Sequence, residues 1–224
     1  MAKATRGPNP ESNISRRRQN ARSDGSEDYA AKRAELIAIA ASLFREKGYD
    51  GTTLADIGER AGLDRATVYY YVGSKAELFQ SSHEGILDDN LNMAERLRTD
   101  KQMSPREKLR AFITHLMKSY EASYPQMFVY IQEQMHQVAK DPSPWAKEVQ
   151  RKTRRIEAVT RELVEQGVEQ GKFRNDLDVR VAVKGLFGML NWTSRWYTPG
   201  SSVSAEKIAE TFCKIFFEGV QKRG

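Results

Sequence analysis

An all-α fold of about nine helices, a short helix-turn-helix unit followed by a larger bundle, is what this sequence predicts. Three observations carry the prediction. Apolar residues recur with the period of an amphipathic helix along most of the chain. Capping residues and glycines punctuate these stretches where helices would start and stop. No stretch offers a convincing strand with a partner to pair with.

Residues 1–26 are Gly, Pro, Ser, Asn and Arg with almost no large apolar side chains. That composition cannot offset the entropy of ordering, so 1–26 reads as a disordered basic arm. Its "SRRRQNARS" either touches an anionic partner or is a solvated tail. From Asp28 the pattern changes. Leu36, Ile37, Ala40, Ala41, Leu43 and Phe44 form one helical stripe, which Gly48 ends. Thr53 is an N-cap with Asp56 three residues on, a capping-box variant opening "LADIGERAG", with Leu54, Ile57 and Ala61 inward. Gly62 breaks this helix. Asp64 caps "RATVYYYV", Gly73 breaks it, and Ser74 with Glu77 opens a helix expected to run on to about Arg98. Short helix, glycine turn, short helix is the helix-turn-helix pattern.

The rest reads as helix too. Ser104, Pro105 and Glu107 open one helix, Pro125 starts "QMFVYIQEQMHQVA", and Ser143-Pro144 starts a long polar helix to about Gln170 with Gly171 beyond it. Asp176 or Asp178 starts "VRVAVKGLFGMLNWTSRWY", "TPGSS" is a loop, and Ser204 caps the last helix. The domain reading is therefore an arm over 1–26, a helix-turn-helix unit over 27–80 and a second domain over 81–224.

Composition narrows the function classes. At 39% hydrophobic and 29% charged, 224 residues can supply one large or two small cores. No apolar run approaches the ~20 residues of a membrane span, and the polar, Arg-rich start does not resemble a signal peptide. Cys213 is the only cysteine, which excludes an internal disulfide and a cysteine-based zinc site and fits a reducing cytoplasm. The net charge of +6 is unevenly spread. Six basic residues oppose two acidic ones in 1–26, seven oppose nine in 27–80, and 23 oppose 19 beyond. A nucleic-acid reading of 27–80 must therefore rest on geometry rather than net charge.

Three adjacent tyrosines in "TVYYYVGSK" focus that question. On a helix they fan out at roughly 100° per residue, so one core cannot hide all three. Every residue of "TVYYYV" also favours strand, but caps at both borders and the lack of a pairing strand decide for helix. In a helix-turn-helix the second helix enters the major groove of double-stranded DNA. Leu63 and Val68 would anchor it inward. Arg65 suits a bidentate guanine contact, while Thr67, Tyr69 and Tyr70 offer hydroxyls to phosphates or rings to thymine methyls. Tyr71 is read as packed. Thr53 and Lys75, each at a helix start, suit phosphate.

Residues 30–80 resemble the DNA-binding domain of the tetracycline-repressor (TetR) family of bacterial regulators. Phe44, Gly48, Thr53, Ile57, Ala61-Gly62 and the run from Ala66 to Leu78 carry the resemblance. It implies that Arg65, Thr67, Tyr69, Tyr70 and Lys75 contact DNA. Val72 departs from the aromatic more common there.

The resemblance also implies a ligand-binding and dimerising second domain, with no cofactor. Phe187, Leu190, Phe212, Ile215 and Phe216 lie on the two most apolar helices and are the expected interface of a homodimer, where Gly185 and Gly188 allow close approach. Met117, Tyr120, Met127, Phe128, Ile131 and Met135, with Trp192, are the expected lining of a deformable pocket for a small hydrophobic effector. Residues 191–202 further resemble regulators answering to acyl-CoA thioesters. Such a ligand needs cations, for which Arg151, Lys152, Arg154, Arg155 and Arg161 are candidates; the bland reading of that stripe is a solvated face. A drug-like or aromatic effector is the alternative. An enzyme reading rests on one Glu-x-x-His spacing, Glu133 and His136, where a di-iron bundle needs two plus further glutamates. An effector-independent DNA-binding protein is the remaining class.

Overall fold

The computed structural model describes residues 27–83, 85–133, 138 and 141–220. The arm over 1–26, together with Met135 and His136, lies outside the described residues. Those that are described form two compact units, the first ending at His83 and the second following it. Among them are ten α-helices and one 3-10 turn.

The first unit holds α1 (Glu27–Lys47), α2 (Leu54–Ala61), α3 (Arg65–Tyr71) and α4 (Lys75–Ser81). Its core is the stripe read from the sequence, Leu36, Ala40, Ala41, Leu43 and Phe44, closed by Ile57, Val68, Val72, Leu78 and Phe79. Thr52 is fully buried, and its hydroxyl donates to the carbonyls of Leu43 and Gly48, tying the end of α1 to the start of α2.

The second unit holds α5 (Ile86–Thr99), α6 (Pro105–Ala122), α7 (Gln126–Glu133), α8 (Pro144–Glu169), α9 (Val179–Trp192) and α10 (Ala205–Val220), with the 3-10 turn at Thr193–Arg195. Ser104 and Glu107 form the capping box expected of them, Ser143 caps α8, and Asp178 rather than Asp176 caps α9. Phe112, Ile113, Leu116, Leu163, Leu186, Leu190, Tyr197 and Phe217 fill its core.

The single helix expected from Ser74 to about Arg98 is in fact two. Gly85 sits at φ 87°, outside the right-handed helical region, so α4 ends at Ser81 and α5 begins afresh at Ile86. The breaker after α3 also differs. Val72, extended at φ −138° and fully buried, turns the chain one residue before Gly73. Burying its side chain on the core holds it where helix propensity would not.

Candidate nucleic-acid interface and effector cavity

The α2–α3 turn is built from local hydrogen bonds. Thr53 and Asp56 close a reciprocal capping box: Asp56 N–H donates to Thr53 Oγ1 at 3.1 Å and Thr53 N–H to Asp56 Oδ2 at 2.8 Å. Lys47 Nζ donates to the other oxygen of Asp56 at 2.8 Å, and Lys47 with Thr53 holds that carboxyl well below the usual range. Gly62 turns the chain at φ 66°, and Asp64 Oδ1 accepts from Thr67 N–H at 2.8 Å to start α3. Val68 is the buried anchor of α3, while Leu63 is only partly covered.

Around that anchor, the other faces of α3 stay open to solvent. Arg65 is exposed; Thr67, Tyr69, Tyr70 and Tyr71 are each partly exposed. The Arg65 guanidinium lies 5.5 Å above the Tyr69 ring, which orients it without pairing its charge. Tyr29, near the start of α1, is a residue the sequence reading missed. Its ring packs 5.6 Å from Tyr70 and 5.1 Å from Tyr71, and its hydroxyl donates to the Tyr71 carbonyl. It braces the two rings from behind. Lys75 is not a free cation at a helix start. Its Nζ donates to the Tyr49 carbonyl at 2.7 Å and sits 4.3 Å from the Tyr49 ring. Thr53 is exposed, with its hydroxyl on Asp56.

In the second unit, α5 to α9 line a half-open cavity of about 660 Å³. Leu87, Leu116, Met127, Ile131, Ile156 and Phe187 give it an apolar body; Asn90, Tyr120, Tyr130, Thr153 and Asn191 add polar groups, and Glu157 and Lys184 pair at its edge at 2.8 Å. Tyr120, Met127 and Ile131 line it as expected. Met117 and Phe128 do not. Met117 is fully buried one helical step away from the Leu116–Tyr120 face, and Phe128 is buried against Tyr120, Tyr124 and Tyr197. Trp192 does not either: its neighbour Asn191 faces the cavity, while the Trp192 ring is 62% exposed beneath the Arg195 guanidinium. Of the polar lining only Tyr120 was expected. The other trace of that lining in the sequence is Lys184 and Asn191, seven residues apart in an otherwise apolar helix.

The residues expected at a dimer face fall in different surroundings. Leu190 is fully buried and Phe216 nearly so, both within their own unit, and Phe187 lines the cavity. Phe212 is partly exposed and Ile215 is 53% exposed. On α9 Val181, Gly185 and Trp192 are exposed at the spacing of one helical face, and Gly188 on the same face also borders the cavity.

Known proteins meet this geometry at both ends. Residues 36–81 match the family of bacterial regulatory proteins of the tetR family, and residues 102–220 match the tetracyclin repressor-like C-terminal domain. The chain belongs to the TetR family. It is 30% identical to the transcriptional repressor KstR2 of Mycobacterium tuberculosis over 87% of this chain and 95% of that protein. KstR2 of Rhodococcus jostii is 29% identical over 88% of this chain and 95% of that one. The solved structure of the ketosteroid transcriptional regulator KstR2 of M. tuberculosis covers 85% of this chain and 95% of its own at a TM-score of 0.77 and 26% identity. At 20% identity and a TM-score of 0.64, AibR, solved with isovaleryl coenzyme A and operator DNA, shares the fold over 83% of this chain and 98% of its own. As a TetR-family member the protein is a DNA-binding transcriptional regulator and not an enzyme. No helix among the described residues is long and apolar enough to cross a membrane.

Proposed function

We propose that this TetR regulator is a homodimeric repressor, acting in the cytoplasm, that an apolar effector bound among α5 to α9 releases from a palindromic operator. The observation that carries the reading is the 660 Å³ cavity, apolar in body with convergent polar groups, in a chain that also presents an open α3 capped by Asp64. Two copies of α3 would enter successive major grooves roughly 34 Å apart. Residues 27–80 act as the reader and 81–224 as the sensor and dimer domain.

Within the reader, Arg65 contacts base edges, while Thr67, Tyr69 and Tyr70 reach phosphates and thymine methyls. Thr53 and Lys75 flank them at the backbone. Arg65→Ala is expected to weaken binding by about 1–3 kcal/mol and to relax specificity at one operator position. Lys75→Ala is expected to weaken all sequences alike and to lower the slope of log affinity against log salt by about 1. Because Lys75 also holds the Tyr49 carbonyl, its loss should lower the melting temperature slightly as well. Operator titrations at several salt concentrations check both. If both variants bind like wild type, the contacts lie elsewhere.

The effector presents an apolar group to the cavity and a polar end toward Lys184 and Glu157. Acyl-CoA thioesters are the first class to test, given AibR, and ketosteroid-related compounds the second, given KstR2. The proposed cation stripe on α8 supports the first class weakly. Arg151 pairs with Glu148, Lys152 with Asp88, Arg155 with Glu95 and Glu162, and Arg161 with Glu165. Of that set only Arg154 has no carboxylate partner among the described residues. Exposed pairs of this kind contribute about 0–1 kcal/mol and can exchange for phosphate.

A thermal-shift screen of acyl-CoAs beside free hydrophobes, followed by gel shift on the operator, tests the reading. Ile131→Trp, which fills the cavity from a partly exposed wall position, should keep operator affinity within about twofold while abolishing effector release. Unchanged release in that variant would place the effector outside this cavity.

A further inference from the structure

Two carboxamides in the cavity wall have their oxygens engaged and their nitrogens free. Asn191 Oδ1 accepts the hydroxyl proton of Tyr120 at 3.0 Å. Burial pushes the Tyr120 pKa upward, so that phenol stays protonated as the donor. Asn90 Oδ1 lies 2.9 Å from His115 Nε2, and an oxygen acceptor there requires Nε2 to carry the proton. Burial, with Arg96 nearby, lowers the His115 pKa and so favours the neutral ring. With each oxygen turned to its partner, neither Nδ2 finds an acceptor among the described residues. Asn90 is 99% buried, as its 1% exposure states, yet it lines the cavity. An amide N–H that opens on the cavity with no protein acceptor is a donor available to a bound molecule.

The other polar groups of the wall are already satisfied. Tyr130 and Thr153 share a hydrogen bond at 3.0 Å, and Glu157 is paired with Lys184. The cavity thus offers an incoming molecule donors set in apolar walls, one amide on α5 and one on α9. A carbonyl oxygen matches that pattern because it accepts and brings no proton needing an acceptor of its own.

We infer that the cavity takes a ligand whose apolar body itself carries carbonyl oxygens, read by the Nδ2 hydrogens of Asn90 and Asn191. The inference rests on the proposed reading of the cavity as the effector site and narrows it to oxo-substituted hydrocarbon skeletons. A bare alkyl chain would leave both amides unpaired, the circumstance in which a hydrogen-bonding site discriminates most strongly.

Cyclododecanone and cyclododecane, which differ by one carbonyl, are suitable probes by calorimetric titration of the full chain. The ratio of ketone to hydrocarbon affinity is expected to fall about tenfold or more from wild type to the Asn90→Leu/Asn191→Leu variant. Taking the ratio removes the difference in water-to-cavity transfer of the two probes, and retained hydrocarbon binding shows that the variant is folded. The infrared stretch of ¹³C-labelled ketone bound to wild type needs no variant. It is expected below its position in hexane, since hydrogen bonding weakens the C=O bond. An unchanged ratio, or a stretch at the hexane position, overturns the inference while leaving the cavity as an effector site. If neither probe binds wild type, the cavity is not that site and both readings fall together.

Discussion

Val181→Glu and Ile215→Glu will each convert the dimer to a monomer that no longer holds its operator. These side chains are 67% and 53% exposed, so neither glutamate disturbs the fold of its own unit. They lie on faces where the helices carry glycines with open space above them: a Cβ placed at Gly185, Gly188 or Gly219 meets nothing within 4 Å. Two such faces can approach closely around a two-fold axis. On that axis every contact is repeated, so one glutamate per chain becomes two buried carboxylates. Each loses its hydration without a partner. The dimer dissociation constant should rise at least about 100-fold, roughly 3 kcal/mol. Operator affinity follows, because half-sites are then read singly rather than together. Sedimentation beside gel shift measures both quantities. A dimer that survives both substitutions has its interface on another face. Leu190→Glu should behave differently, as a misfolded chain, since Leu190 is fully buried within its own unit.

Gly58→Ala will break the reader from inside. In an ordinary helix this change stabilises by about 0.5–1 kcal/mol. Here the new methyl would stand 2.9 Å from the Leu63 carbonyl oxygen and 3.0 Å from Val68 Cγ2. The Leu63 backbone cannot yield easily, because its N–H donates to the Gly58 carbonyl at 2.9 Å. So α2 and α3 must part, at about 1–3 kcal/mol for overpacking, which exceeds the propensity gain. Arg65 begins α3 two residues beyond Leu63 and moves with it. Urea denaturation should show the loss of stability, and operator affinity should fall more than tenfold at temperatures where the variant is still folded. Gly185→Ala is the contrasting case. With open space above it, the methyl should leave the fold of the chain intact and weaken only the dimer.

Legibility followed the range of the physics. The Thr53–Asp56 and Ser104–Glu107 boxes and the Asp64, Ser143 and Ser204 caps are made by residues three or fewer positions apart, so local sequence announces them. The core stripe of α1 and the openness of α3 follow from helical period. The break at Gly85 was hidden because a lone glycine inside a helical pattern is tolerated and does not by itself end a helix.

What the sequence by itself determined was the all-helical class, the helix starts that carry a side-chain cap and a reader helix too rich in tyrosine to be buried. Only the tertiary structure decided which neighbour of a pair faces which way: Asn191 into the cavity and Trp192 out, Leu116 on the wall and Met117 in the core, Ile215 exposed and Phe216 buried. The reason is that a helix turns by about 100° per residue, so adjacent positions differ in face while sharing composition. Cavities add a second obstacle. They are defined by where several helices fail to meet, and the polar groups that line one, such as Asn90 held by His115, are set by partners distant in the chain.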